Sequence, residues 1–125
     1  MAAKLNGIRV LIVEDHKDSQ DILAMWLSHL GAAVQTADDG EEALALLSKT
    51  PRPHVILSDI HLPGMDGCAL LSRLKSQQEL AGIPVIAITG DVRFTNAPEP
   101  GFDSCLIKPV TGPIVGDAIA RVLHR

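Results

Sequence analysis

The stretch Arg9-Val10-Leu11-Ile12-Val13-Glu14-Asp15 (RVLIVED) decides the fold. A strand with one wet face alternates apolar and polar residues. This one is apolar throughout, then stops at two carboxylates. Continuous aliphatic character over so short a run predicts a strand buried on both faces, the habit of parallel sheets covered by helices. The same pattern returns at His54 to Ser58 (HVILS), followed by Asp59, and at Pro84 to Ile88 (PVIAI), followed by Thr89. Ser104 to Ile107 (SCLI) ends at Lys108, and Ala33 to Ala37 (AVQTA) reads as a weaker, edge-like strand.

Helical periodicity fills the intervals. From Lys17 to Leu30, the apolar residues Ile22, Leu23, Trp26, Leu27 and Leu30 recur at helical spacing, and Gly31 closes the run. Trp26 lies in that stripe and is expected in the core. Asp38 and Glu41 stand at capping-box spacing before a helix whose apolar face is Ala43, Leu44 and Leu47; Pro51 and Pro53 end it. The turn LPGMDG precedes a helix from about Asp66 to Ser76 carrying Leu70, Leu71 and Leu74. Thr111 caps a last helix, with Pro113 in its first turn and Ile114, Val115, Ala118, Ile119 and Val122 facing inward. Five strands alternating with helices predict a doubly wound α/β fold. The 125 residues suit one domain, 1–125, without repeat or linker.

Composition removes several classes of function. Apolar residues make up 46% of the chain, too many for disorder, and with Trp26, Phe94 and Phe102 as its only aromatics the core must be aliphatic. The net charge is −4 and the basic residues are scattered, which argues against a nucleic-acid surface. Cys68 and Cys105 have no zinc spacing and are expected to be small buried residues. No apolar run approaches the roughly 20 residues of a membrane span, and MAAKLNG does not read as a signal peptide, so a cytoplasmic location is expected.

In open α/β sheets the site lies beyond the carboxyl ends of the strands. There the chain places Glu14, Asp15, Asp59, Thr89 and Lys108. Any one of them has a bland explanation as a helix cap or a solvated surface group. The five together have a common chemistry. Carboxylates packed against one another need a cation to relieve them, and hard oxygen donors suit Mg²⁺. A lysine supplies a mobile positive charge for phosphate oxygens, a threonine supplies a hydroxyl, and an aspartate can be a nucleophile that becomes an aspartyl-phosphate. Phosphoryl transfer needs little beyond such positioning and electrostatics.

Along essentially its whole length the chain resembles the receiver domain of two-component response regulators, through VLIVEDH, LSDIHLPGMDG, VIAITG and CLIKP, in that order. The resemblance implies a flavodoxin-like five-stranded parallel sheet in the order 2-1-3-4-5, with helices on both faces. It implies that Asp59 accepts a phosphoryl group from a histidine kinase or a histidine phosphotransfer protein. Glu14, Asp15, Asp59 and the main-chain carbonyl of His61 would hold Mg²⁺. Thr89 would be the switch hydroxyl, Lys108 the phosphate-pairing lysine, and the bond before Pro109 cis. The side chains of His61 and Asp91, two residues beyond Asp59 and Thr89, stand where the family modulates hydrolysis of the phosphoryl group.

Two departures fall on one crossover. Cys105 occupies the place of the family's aromatic switch residue, three before the lysine. The segment from Gly90 to Asp103 carries Pro98 and Pro100, and its 14 residues are about one helical turn short of the family's length. A parallel crossover needs a dozen or more residues, so the chain closes, with the helix expected there short or missing. Phosphorylation chemistry is thus expected to be intact and the signalling face altered.

No output domain lies within these 125 residues, so the expected protein is a lone regulator or a receiver from a larger one, with GFDSCLIKPV closest in style to hybrid histidine kinases. A turnover enzyme is not expected. The rival classes are a pseudo-receiver serving only as a protein–protein module, a small aspartyl-phosphate phosphatase, and an FMN binder. A phosphatase of the haloacid dehalogenase type would want a DxD pair on the first strand. For FMN, the acidic EDHKDSQ after that strand is the wrong charge.

Overall fold

The computed structural model describes residues 4–90 and 101–124. Five parallel strands form one sheet: β1 (Arg9–Val13), β2 (Ala33–Ala37), β3 (Val55–Asp59), β4 (Val85–Thr89) and β5 (Ser104–Ile107), in the order β2-β1-β3-β4-β5. The helices among the described residues are α1 (Lys17–His29), α2 (Gly40–Leu47), α3 (Gly67–Lys75) and α4 (Gly112–Leu123). The segment 91–100, where a short or missing helix is expected and where Asp91 stands, lies outside the described residues.

Strict two-residue alternation along the strands splits the core into two layers. Val10 and Ile12 of β1, Val55 and Leu57 of β3, and Ile86 and Ile88 of β4 meet Leu23 and Leu27 of α1 and Val115, Ala118 and Ile119 of α4. Leu11, Val13, Ile56 and Val85 turn the other way, toward Ala43 and Leu47 of α2 and Leu70, Leu71 and Leu74 of α3. Each such aliphatic side chain, once buried, contributes roughly 1.5–3 kcal/mol of transfer free energy. That double burial is why the inner strands read as unbroken apolar runs. The edge strand β2 has wet positions at Ala33 and Gln35, and AVQTA reads accordingly.

Trp26 packs against Gly112 at the start of α4, where a β-carbon on that glycine would sit 3.2 Å from the ring. Thr111 caps α4 by accepting from the Ile114 N–H, 3.3 Å away, as the sequence predicts.

Four expectations need correction, the first being Ile114, which periodicity turns inward but which is exposed on α4. β3 and β4 each run one residue further than the apolar pattern, so Asp59 and Thr89 are the last residues of their strands and not the first after them. The cap of α2 is Asp39, which accepts from the Glu42 N–H at 2.8 Å; Asp38 is turned instead toward α1. Neither cysteine is fully buried. Cys105 is on β5, an edge strand whose four residues are all half-buried, and Cys68 is half-exposed at the start of α3.

Candidate functional site

The strand order carries β1 and β3 side by side, with Val13 opposite Ser58, so the residues that follow them share one edge. Carboxylate oxygens of Glu14, Asp15 and Asp59 all lie within 4.8 Å of one another. Glu14 is 2% exposed and Asp59 9%, whereas Asp15 is open to solvent. β5 ends on the same edge and delivers Lys108. Its Nζ donates to Asp59 Oδ2 at 2.8 Å and to Glu14 Oε2 at 3.1 Å.

The second oxygens of Asp59 and Glu14 are also held. The His61 N–H donates to Asp59 Oδ1 at 3.1 Å, and the His16 N–H donates to Glu14 Oε1 at 3.0 Å. Burial pushes the Glu14 carboxyl up, and the neighbouring charge of Asp59 adds to that rise. The His16 N–H and Lys108 offset only part of it. For Lys108, burial alone would lower the ammonium's pKa, but its bonds to Asp59 and then Glu14 reverse the sign and hold the proton on. Among the described residues the carboxylates outnumber Lys108, the one cation bonded to them. An all-oxygen group with one member facing water fits a hard divalent cation that keeps part of its hydration shell.

Close backbone packing supports Asp59 from below. Gly67 opens α3, and a β-carbon there would stand 2.5 Å from the Asp59 carbonyl oxygen and 2.8 Å from Ile60 Cα. The Gly67 N–H donates to the Ile60 carbonyl at 2.7 Å. Only a residue without a side chain lets α3 start this near the end of β3.

Thr89 is wholly buried at the end of β4, and its carbonyl accepts from the Lys108 N–H at 2.8 Å. The Lys108–Pro109 bond is cis, and so is Thr50–Pro51, which nothing in the sequence pattern suggested. The His61 side chain is exposed. Cys105 lies away from the carboxylates, opposite Ala87 in the β4–β5 register, and burial raises its thiol pKa. Gln20 was missed. It is wholly buried beneath the site, and the available signal was a polar residue in phase with Leu23 and Leu27 on the buried stripe of α1.

A doubly wound parallel α/β sheet with an acidic, lysine-braced cluster at its carboxyl edge carries its site where this class of fold binds ligands. The chain belongs to the response regulator receiver domain family, which matches residues 10–119. It is 36% identical over 123 residues to the sensor histidine kinase RcsC of Escherichia coli strain K12, an alignment covering 96% of this chain and 13% of that protein's length. Among solved structures it resembles the receiver domain of a signal transduction histidine kinase from Syntrophus aciditrophicus. There the identity is 35% and the TM-score 0.83, over 94% of this chain and 90% of that one. It also resembles the receiver domain of sensor histidine kinase PA1611 from Pseudomonas aeruginosa PAO1, solved with magnesium coordinated in its active-site cleft. That pair shares 26% identity with a TM-score of 0.87, over 95% of this chain and 99% of that one. The fold and the two-component signalling class follow. No described helix is long and apolar enough to cross a membrane.

Proposed function

We propose that the chain is a phosphoacceptor receiver that takes a phosphoryl group on Asp59, with Mg²⁺, from a histidine kinase or a histidine phosphotransfer protein. One observation carries this reading: a nearly buried aspartate at the end of the central strand, set among two further carboxylates and bonded to Lys108 at 2.8 Å.

In the transfer, a carboxylate oxygen of Asp59 attacks the phosphorus of the donor phosphohistidine. The new P–O bond forms as the P–N bond breaks, and the imidazole leaves with the bonding pair and takes up a proton. The His61 N–H fixes one Asp59 oxygen, so the carboxylate cannot rotate freely. Lys108, kept charged by its partners, follows the phosphoryl oxygens as negative charge gathers on them. Carboxylate oxygens of Glu14, Asp15 and Asp59 and the His61 carbonyl would hold Mg²⁺, which when bound would supply positive charge to the phosphoryl oxygens. Thr89 then serves as the hydroxyl that senses the product. The side chains of His61 and Asp91 would modulate hydrolysis, and Cys105 would leave the aromatic relay of the family without a ring.

The donor must bring its histidine over this edge, so its body has to cover a neighbouring rim. On the Lys108 side the rim is a mostly apolar groove of about 410 Å³ between α1 and the segment that follows β5, lined by Ile22, Trp26, Pro109 and Val110 among others. Exposed Ile22 and Met25 extend it along α1. The domain would work in the cytoplasm as a single unit, residues 1–125, as part of a hybrid kinase or alone. It would turn over its own phosphoryl group and no separate substrate.

The deciding experiment is phosphotransfer from a panel of phosphorylated histidine kinases and from acetyl phosphate, with and without Mg²⁺. Acid-labile phosphate is expected on the wild type with Mg²⁺ and none on Asp59→Asn. A wild type that stays unlabelled under every donor, while still binding a kinase, would instead make it a pseudo-receiver.

A further inference from the structure

Gln20 is a wholly buried polar residue in the first turn of α1, and its carboxamide is spent on the backbone beneath the acidic cluster. Its Nε2 donates to the Glu14 carbonyl at 2.9 Å and to Asp38 Oδ1 at 2.9 Å, with a longer contact of 3.3 Å to the Ala37 carbonyl. Its Oε1 accepts from Lys17 Nζ at 2.9 Å. Two amide hydrogens serve three acceptors, so no donor is spare and the group's orientation is set from both ends.

The Glu14 carbonyl belongs to the Glu14–Asp15 peptide. The Glu14 N–H, on the other side of that residue, donates to the Ala37 carbonyl at 3.0 Å. Glu14 is therefore clamped at both of its peptide groups, once by β2 and once by Gln20. The plane of the Glu14–Asp15 peptide fixes the N–Cα bond of Asp15, from which its side chain departs. Asp15 is the solvent-facing member of the cluster, the one whose direction buried packing does not determine.

We propose that Gln20 is a positioning residue for the cation site: through the Glu14 carbonyl it aims Asp15, and through Asp38 it ties the end of β2 to that aim. This rests on the assignment of Glu14, Asp15 and Asp59 as Mg²⁺ ligands made above. The bland alternative, a glutamine that only satisfies buried carbonyls, predicts lost stability with unchanged affinity for metal.

Calorimetric titration of the apo protein with Mg²⁺ separates the two, without reference to phosphorylation. Gln20→Met keeps the length and removes both donors. It is expected to raise the Mg²⁺ Kd about tenfold, the lower end of what outer-shell partners of metal ligands carry. Val122→Ala, in the α4 layer of the core, is the control for destabilisation alone and is expected to leave the Kd unchanged. Should Gln20→Met fold poorly, the exposed Asp38 supplies the second test. Asp38→Ala is expected to weaken Mg²⁺ binding, and Asp38→Asn, which keeps an oxygen acceptor for the Gln20 amide, to restore it. Equal weakening by both Asp38 variants would point to charge alone and overturn the proposal. So would an unchanged Kd in Gln20→Met beside a wild type that binds Mg²⁺. A wild type that binds no Mg²⁺ would remove the assigned cation site, and this role with it.

Discussion

The two ends of the sheet both carry ionisable residues, to opposite effect. At the amino end, the Arg9 N–H donates to His54 Nδ1 at 2.9 Å, Arg9 Nε donates to the Arg52 carbonyl at 2.8 Å, and Arg52 Nε donates to the Leu47 carbonyl at 3.0 Å. Each of these donors meets one acceptor, and the side chains close the backbone of the loop before β3. At the carboxyl end, among the described residues, three carboxylates face one another and Lys108 bridges two of them. At one end the donors go to the chain's own loop and, among the described residues, gather no carboxylates around them. The other has an excess of acceptors and negative charge, which is what makes it a site. Ionisable residues at strand ends acquire function from imbalance, not from their identity.

Removing Lys108 should break the comparison hardest. Lys108→Met leaves the buried Glu14 without its cation, and loss of one charge-assisted bond of this kind costs about 1.5–3 kcal/mol in chemical denaturation. Phosphate uptake from acetyl phosphate should fall by a further factor of about 10²–10³, as when one preorganised donor to a developing charge is lost. Loss of stability with an undiminished uptake rate would make the two ends alike. His54→Leu is the matching cut at the amino end. It strands the Arg9 N–H and should cost about 1–3 kcal/mol, with uptake rate and Mg²⁺ affinity unchanged.

The smallest effect is a pH dependence confined to the carboxyl end. Burial raises the folded-state pKa of Glu14 above its ordinary 4.5, so the folded chain holds that proton more tightly than the unfolded one. Its contribution to stability is complete below about pH 4.5 and is lost as pH rises through the folded value. In metal-free buffer, the stability of the wild type relative to Glu14→Gln should therefore decline from pH 4.5 toward neutrality. Mg²⁺ should oppose the decline by favouring the ionised form. Lys108 has the same sign at the alkaline end, where its raised pKa delays the loss of the bridge. Denaturation series across pH, with and without chelator, read both.

Much of this was legible because the inner strands are punctuated. RVLIV stops at Glu14, and the apolar runs of β3 and β4 stop at Asp59 and Thr89, so the polar ends stand out. Boundaries were less legible. Asp59 and Thr89 pair as strand residues although their side chains belong to the site, and hydropathy cannot separate those two properties. Asp38 and Asp39 are indistinguishable as caps until the helix start at Gly40 is known. Gln20 sits in phase with an apolar stripe, where a polar residue reads as noise unless the carbonyls it meets are in view.

By itself the sequence determined that parallel strands buried on both faces would each end in a polar residue, because double burial demands unbroken aliphatic runs and charge cannot enter them. Which of those residues would touch was decided by the tertiary structure. Lys108 reaches Asp59 across 49 residues of chain and Glu14 across 94. Those contacts depend on the strand order, with β1, β3 and β4 adjacent and β5 beyond, a long-range choice that no local pattern encodes. Residue spacing supplied the groups; sheet order made them a site.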